Sequence, residues 1–299
     1  MEHTTQKTEY GRAMTYAVSC KVMWGLLPLY WQMLRPIDSW VIILYRIVLV
    51  GLCCFAAALK MYGWKGIKSP LTDKMNVLKY FLAGMLITSN WSLYIWAVNA
   101  DHVIQTSIGY YMEPIIICAF GVVLFHEKFT KYKLIAFVMA CAGVLILLIH
   151  FREIPFIAVG LGTTFAVYAA IKKSIRVPAV LSLLYETMFL VLPALVAIIV
   201  MEIRGAGAFA AAQPYQIVLL MLAGIMTAVP LGLFSSAVNK LPLVTMGILE
   251  YIAPSIALIL GIFVMKEPFD AVQFTAFAVV WVGLIFFTRG EFIENRSKE

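Results

Sequence analysis

The sequence predicts an all-α membrane protein with ten transmembrane helices arranged as two inverted five-helix repeats. Three observations carry that reading. The residues are 63% hydrophobic and 13% charged, with a mean hydropathy of +0.91, so a chain of 299 residues has far too little polar surface to face water. The apolar residues fall into ten runs of about 19 to 26 residues, each long enough at about 1.5 Å per residue to cross a hydrocarbon core of about 30 Å. Positions 82–146 also align onto 222–286 without a gap, at a constant offset of 140: Leu82-Ala83-Gly84 returns as Leu222-Ala223-Gly224, and Ala97-Val98-Asn99 as Ala237-Val238-Asn239. About a quarter of those 65 positions are identical, roughly three times what chance gives in so apolar a chain, and this marks a duplicated half.

Taken in order, the runs occupy about 11–34, 38–61, 75–99, 102–126, 131–149, 154–174, 179–202, 214–239, 243–266 and 270–288, which places the halves at 1–149 and 150–299. The polar start Met1 to Tyr10 lacks a signal-peptide pattern, so the first run is expected to stay in the membrane. With a cytoplasmic N-terminus, seventeen Lys and Arg fall on the inside and four (Arg35, Arg152, Arg204, Lys266) on the outside, which puts both termini in the cytoplasm. Five spans per half is an odd number, so the second half must enter the bilayer upside down. Loop charge agrees: Glu127-Lys128-Phe129-Thr130-Lys131-Tyr132-Lys133 is basic, while its copy Glu267-Pro268-Phe269-Asp270 has shed its lysines. Inverted repeats of this kind are the architecture of secondary transporters.

Other classes are disfavoured. The net charge of +7 is dispersed through short breaks between apolar runs, unlike a nucleic-acid-binding patch. The five cysteines lie inside apolar runs without metal-ligand spacing, so no metal or other cofactor is expected. There is no His-Glu-x-x-His, no Gly-x-Ser-x-Gly and no Walker motif, which argues against an enzyme and against an ATP-driven pump. A ring of like charges or a filter motif, as in a channel, is missing too.

Several stretches resemble the RarD group of bacterial EamA-type transporters, within the drug/metabolite transporter superfamily. They are Trp24-Gly25-Leu26-Leu27-Pro28-Leu29-Tyr30-Trp31, Tyr45-Arg46-Ile47, Asn90-Trp91-Ser92-Leu93-Tyr94-Ile95-Trp96-Ala97-Val98-Asn99, Ser107-Ile108-Gly109-Tyr110-Tyr111, Glu186-Thr187 and Glu250-Tyr251-Ile252-Ala253-Pro254. The resemblance implies a multi-pass permease of the bacterial inner membrane that exports or exchanges a small metabolite, with a solute and the bilayer as partners and no nucleotide motor. Amphipathic drugs are an alternative cargo, and a non-transporting receptor or scaffold an alternative role. The sequence departs from the family pattern at Glu113 and Glu250, where an amide is usual, and at Lys21 in the first span.

Five ionisable residues lie at membrane depth: Lys21, Arg46, Glu113, Glu186 and Glu250. Each costs about 2.5 to 3.5 kcal/mol at a helix centre even on lenient scales, so they should converge on a wet interior. Arg46 and Glu186 are expected to bind the two ends of a zwitterionic solute such as an amino acid, the alternative being an ion pair that locks their two helices. Asn90, Tyr94, Tyr110, Tyr168 and Tyr185 are candidate cavity residues beside them. Tyr30, Trp31 and Trp91 supply further rings that can stack on a ligand or shield a charge, while Trp31, with Trp40, Trp64 and Tyr80 near span ends, also reads as an interfacial anchor. Pro114 and Pro254 share one repeat position at mid-span and are expected to act as paired hinges. Glu250 aligns with Tyr110, one helical turn before Glu113, so the two carboxyls should approach each other and hold one proton, with Lys21 as counter-charge. That pair is the candidate proton-coupling site of a monomeric transporter.

Overall fold

The computed structural model describes residues 2–99, 102–152, 155–266 and 270–296, and the copy Glu267-Pro268-Phe269 lies outside them. Every regular element among the described residues is helical. The order is α1 (Glu2–Met33), α2 (Ser39–Lys68), α3 (Lys74–Asn99), α4 (Val103–Phe125), α5 (Lys131–Phe151), α6 (Phe156–Ser174), α7 (Ala179–Ile203), the short α8 (Ala208–Ala211), α9 (Pro214–Val238), α10 (Leu243–Glu250), α11 (Ile252–Leu260) and α12 (Ala271–Arg296). A 3₁₀ turn, Ser69–Leu71, follows α2, and a π-helical turn, Gly261–Met265, extends α11. Eight segments are long and apolar enough to cross a membrane, α10 to the π turn counting as one. The long helices α1 and α3 fall below that apolarity, and they carry Lys21 and Asn90, polar residues buried in the interior.

Local chemistry sets the ends of these helices. Asp38 caps α2 by accepting from the Trp40 amide at 2.8 Å, and Gln213 and Gln216 form a capping box at the start of α9. His126 and Lys266, equivalent under the 140-residue offset, both take left-handed backbone (φ 52° and 59°) and return their N–H groups to Gly121 and Gly261. Thus the fourth helix and its copy terminate in the same way.

Packing follows the repeat. α1 lies on α9 as α6 lies on α3, and α2, α4 and α5 pack against their own copies α7, α10 and α12. Glycines set the closest approaches. A Cβ at Gly143 would sit 3.0 Å from the Ala276 carbonyl oxygen, and one at Gly283 3.3 Å from the Cα of Ala136. Since 276 and 283 are the copies of 136 and 143, the contact is reciprocal and runs head to tail, so α5 and α12 are antiparallel. α4 treats α10 likewise: Gly121 faces Leu243 and Val244, Gly247 faces Pro114 and Cys118, and Tyr251 donates its hydroxyl to the carbonyl of its own counterpart, Tyr111, at 2.8 Å.

The two prolines differ in effect. α4 runs unbroken through Pro114, whereas Pro254, which cannot donate to the Glu250 carbonyl, coincides with the interruption between α10 and α11 at Tyr251. Ser255 spans that break, accepting from Trp281 Nε1 at 2.8 Å and donating to the Tyr251 carbonyl at 2.7 Å.

Gly84 gives the sharpest test of this packing, because a Cβ there would lie 2.1 Å from the backbone oxygen of Glu186 on α7. Gly84→Ala is expected to cost about 1–3 kcal/mol by forcing α3 off α7, read as a lowered unfolding midpoint in detergent. Gly232→Ala, whose Cβ would meet only Leu183 at 3.8 Å, should leave the midpoint near wild type.

Candidate functional site

Three groups of buried charge occupy the interior, and α1 links two of them. Lys21, Trp24 and Trp31 share one face of α1, and ten residues of helix separate the first from the last by about 15 Å. At the inner level the Lys21 ammonium, fully buried, forms a salt bridge with Glu250. It lies over the rings of Trp24 at 4.2 Å and Phe234 at 4.6 Å. Glu113 on α4 and Glu250 are close enough to act on each other electrostatically, and these glutamates are 8% and 6% exposed. Lys21, Glu113 and Glu250 are therefore brought together, beside the Tyr111–Tyr251 contact where α4 crosses α10.

At the other level Arg46 on α2 is held between two indoles. The guanidinium carbon stands 4.5 Å from the Trp31 ring on α1 and 4.3 Å from the Trp91 ring on α3. Its Nε donates to Thr227 Oγ1 on α9 at 3.0 Å. Arg46 is partly exposed, with partners on α1, α3 and α9. Cation–π contact with two rings offsets part of the desolvation that a lone cation would suffer. The Tyr94 and Tyr110 rings lie 5.7 Å apart, and Tyr110 is 45% exposed.

Glu186 does not meet Arg46. Its carboxylate accepts from Lys172 Nζ at 2.5 Å, Ser182 Oγ at 2.7 Å and Tyr168 Oη at 3.3 Å. Lys172, counted with the loop charges in the sequence, is fully buried in this cluster. The signal for it lay in the α6–α7 hairpin, where Tyr168/Lys172 and Ser182/Glu186 are two i, i+4 pairs on facing helices. The space beside Glu186, bounded by Thr88, Trp91 and Thr187, is only about 20 Å³, the size of a single water. Asn90 braces α3 to α6 through the Leu161 carbonyl (2.8 Å) and Thr164 (2.9 Å). Tyr185 donates to the Ile67 carbonyl (2.8 Å) and packs against Tyr80 with the rings tilted by 38°.

The end of the bundle that carries both chain termini is tied by charge. Glu127 accepts from the first amides of α10, Leu243 (2.8 Å) and Val244 (2.9 Å), and pairs with Lys173 at 3.3 Å. Lys173 donates to the Leu241 carbonyl, and Glu291 takes Lys133 at 3.1 Å and the Tyr10 hydroxyl at 2.7 Å. At the opposite end, Glu202 accepts from Tyr45 and the amides of Ala208 and Phe209, and Gln216 binds the carbonyls of Met33 and Arg35. Among the described residues no cluster of His, Cys, Asp or Glu has the makings of a metal site.

Comparison with known proteins follows from this geometry. The EamA-like transporter family matches residues 11–149. The transporter YojE of Bacillus subtilis is 35% identical, covering 95% of each chain. Protein RarD of Streptomyces exfoliatus is 34% identical, over 94% of this chain and 90% of its own, and protein RarD of Escherichia coli K12 is 31% identical, over 91% and 92%. A protein of known crystal structure superposes with a TM-score of 0.70 at 16% identity, over 92% of this chain and 96% of that one, which speaks to fold alone.

Removing one member of the buried pair should be far worse than removing both. Lys172→Met is expected to destabilise the protein by about 3–5 kcal/mol because it strands the Glu186 carboxylate, and Lys172→Met/Glu186→Gln should recover most of that loss. Thermal unfolding of the purified variants in one detergent checks the difference.

Proposed function

Because the chain belongs to the RarD group of EamA-type transporters in the drug/metabolite transporter superfamily, we propose that this membrane transporter is a monomeric secondary exporter or exchanger of a small polar metabolite. It works by alternating access between two inverted five-helix halves, 1–149 and 150–299, and spans the inner membrane ten times with both termini in the cytoplasm. The reciprocal antiparallel packing of α4 on α10 and of α5 on α12 supports the inverted halves. The observation that carries the mechanism is the Lys21–Glu250–Glu113 cluster at the crossing of α4 with its copy. One proton shared by the carboxyl pair neutralises the cluster against Lys21. Its release leaves an uncompensated negative charge in a low-dielectric interior, which favours movement toward the side from which a proton can return.

The rocking step in this scheme frees the cytoplasmic end. Glu127 must let go of the α10 amides and of Lys173, while Pro254, at the break beside Glu250, lets α10 and α11 turn separately. Pro114 serves as the stiffer of the two hinges, within a continuous α4.

Two measurements test the proposal. In proteoliposomes, Glu113→Gln and Glu250→Gln are each expected to abolish solute accumulation driven by an imposed pH gradient while sparing counterflow exchange. Unchanged pH-driven accumulation in both variants would mean that these carboxyls carry no coupling proton. For orientation, single cysteines replacing the exposed Lys131 and Ala210 in a background without the five native cysteines are treated with an impermeant thiol reagent on intact cells. Ala210→Cys should react and Lys131→Cys should not, and the reverse pattern defeats the topology.

A further inference from the structure

Arg46 presents a recognition surface of a particular shape. Its guanidinium carbon lies 4.5 Å from the Trp31 ring and 4.3 Å from the Trp91 ring, and its Nε donates to Thr227, which leaves the edge formed by Nη1 and Nη2. Among the described residues no carboxylate pairs with that edge, and the residue is only partly buried. Two parallel N–H groups match the two oxygens of a carboxylate.

The surroundings restrict the partner further. Glu186, the one acidic residue of the neighbouring α7 cluster, is neutralised by Lys172 and Ser182 and borders a space no larger than a water, so it is closed to the ammonium end of a ligand. Among the described residues no second cation acts on Arg46 to match a doubly charged phosphate. The partly exposed rings of Trp31 and Trp91 provide apolar surface against the guanidinium.

We propose that Arg46 is the specificity-determining residue of the transport site and that the solute is a monocarboxylate with an aromatic or apolar body, bound edge-on through Nη1 and Nη2. This inference rests on the reading of the interior as a solute pathway. It differs from a zwitterion site in needing no ligand amino group.

The test uses purified protein in detergent and reads the thermal unfolding midpoint against increasing benzoate, benzamide and inorganic phosphate. Benzoate is expected to raise the midpoint and benzamide at equal concentration to leave it unmoved. Arg46→Lys, which keeps the charge and loses the planar fork, should weaken the apparent benzoate affinity about tenfold or more. Thr227→Val, which frees Nε but leaves the edge, should weaken binding less and keep the preference for benzoate over benzamide. That variant serves if Arg46→Lys does not fold. No shift with benzoate, an equal shift with benzamide, a shift with phosphate but not benzoate, or a benzoate shift unchanged in Arg46→Lys overturns the assignment. Counterflow of labelled benzoate in proteoliposomes separates the two layers. Binding without counterflow keeps the carboxylate site and defeats the transport reading, whereas counterflow of another solute without benzoate binding does the opposite.

Discussion

An ion placed in hydrocarbon must find a partner inside the protein or be excluded from it, and the interior of this chain is arranged by that constraint. Its buried charges find three different kinds of company. Lys172 and Glu186 meet as an ion pair closed off by two hydroxyls. Lys21 shares two carboxyls, with three aromatic rings around it. Arg46 takes two indole faces and a single hydroxyl in place of an anion. The first arrangement is paired internally, the second sets one ammonium against two carboxyls, and the third leaves a cation with no paired carboxylate among the described residues.

The repeat sharpens this contrast. Tyr45-Arg46 and Tyr185-Glu186 are separated by the same 140 residues as the rest of the duplication, so a cation in one half stands where the other half has an anion. Their surroundings obey the repeat as well: Gly84 on α3 packs against the backbone at Glu186, and its copy Gly224 on α9 against the backbone at Leu49, three residues past Arg46. The backbone cradle has been kept twice while its side chain changed sign. Only one of the two has been given an internal counter-ion, because position 172 is lysine and its equivalent is Gln32.

How much of this could be read from the sequence depends on how local each cause is. The long helices, their approximate limits and the convergence of Glu113 with Glu250 follow from hydropathy and from one constant offset, and each of the eight segments of membrane-crossing character overlaps one expected run, although Ser39–Leu71 and Ala271–Ile293 run past the expected ends at 61 and 288. Lys172 was hidden because a lysine in the last turn of a span looks like any loop lysine, and its burial is decided by a neighbouring helix. The contacts of Arg46 were legible only in part: Trp31 and Trp91 are candidates for shielding a charge, but Trp31 reads equally as an interfacial anchor until α1, α2 and α3 are assembled around one guanidinium. The different fates of Pro114 and Pro254, identical in repeat position, were illegible for the same reason. Whether a freed carbonyl breaks a helix is settled by what packs beside it, here Ser255 and Trp281.

The hydrogen bond from Tyr251 to the carbonyl of Tyr111 joins a residue to its own duplicate. Such a contact can exist only on or very near the pseudo-two-fold axis, and points on an axis are displaced least when two related bodies rotate about it. The α4–α10 crossing therefore lies near that axis, while Glu127 and Gln216 lie toward the two ends of the bundle. Under the proposed rocking of the halves, a substitution at the crossing would burden both halves in every orientation, whereas one at either end would burden only the state in which that end is shut.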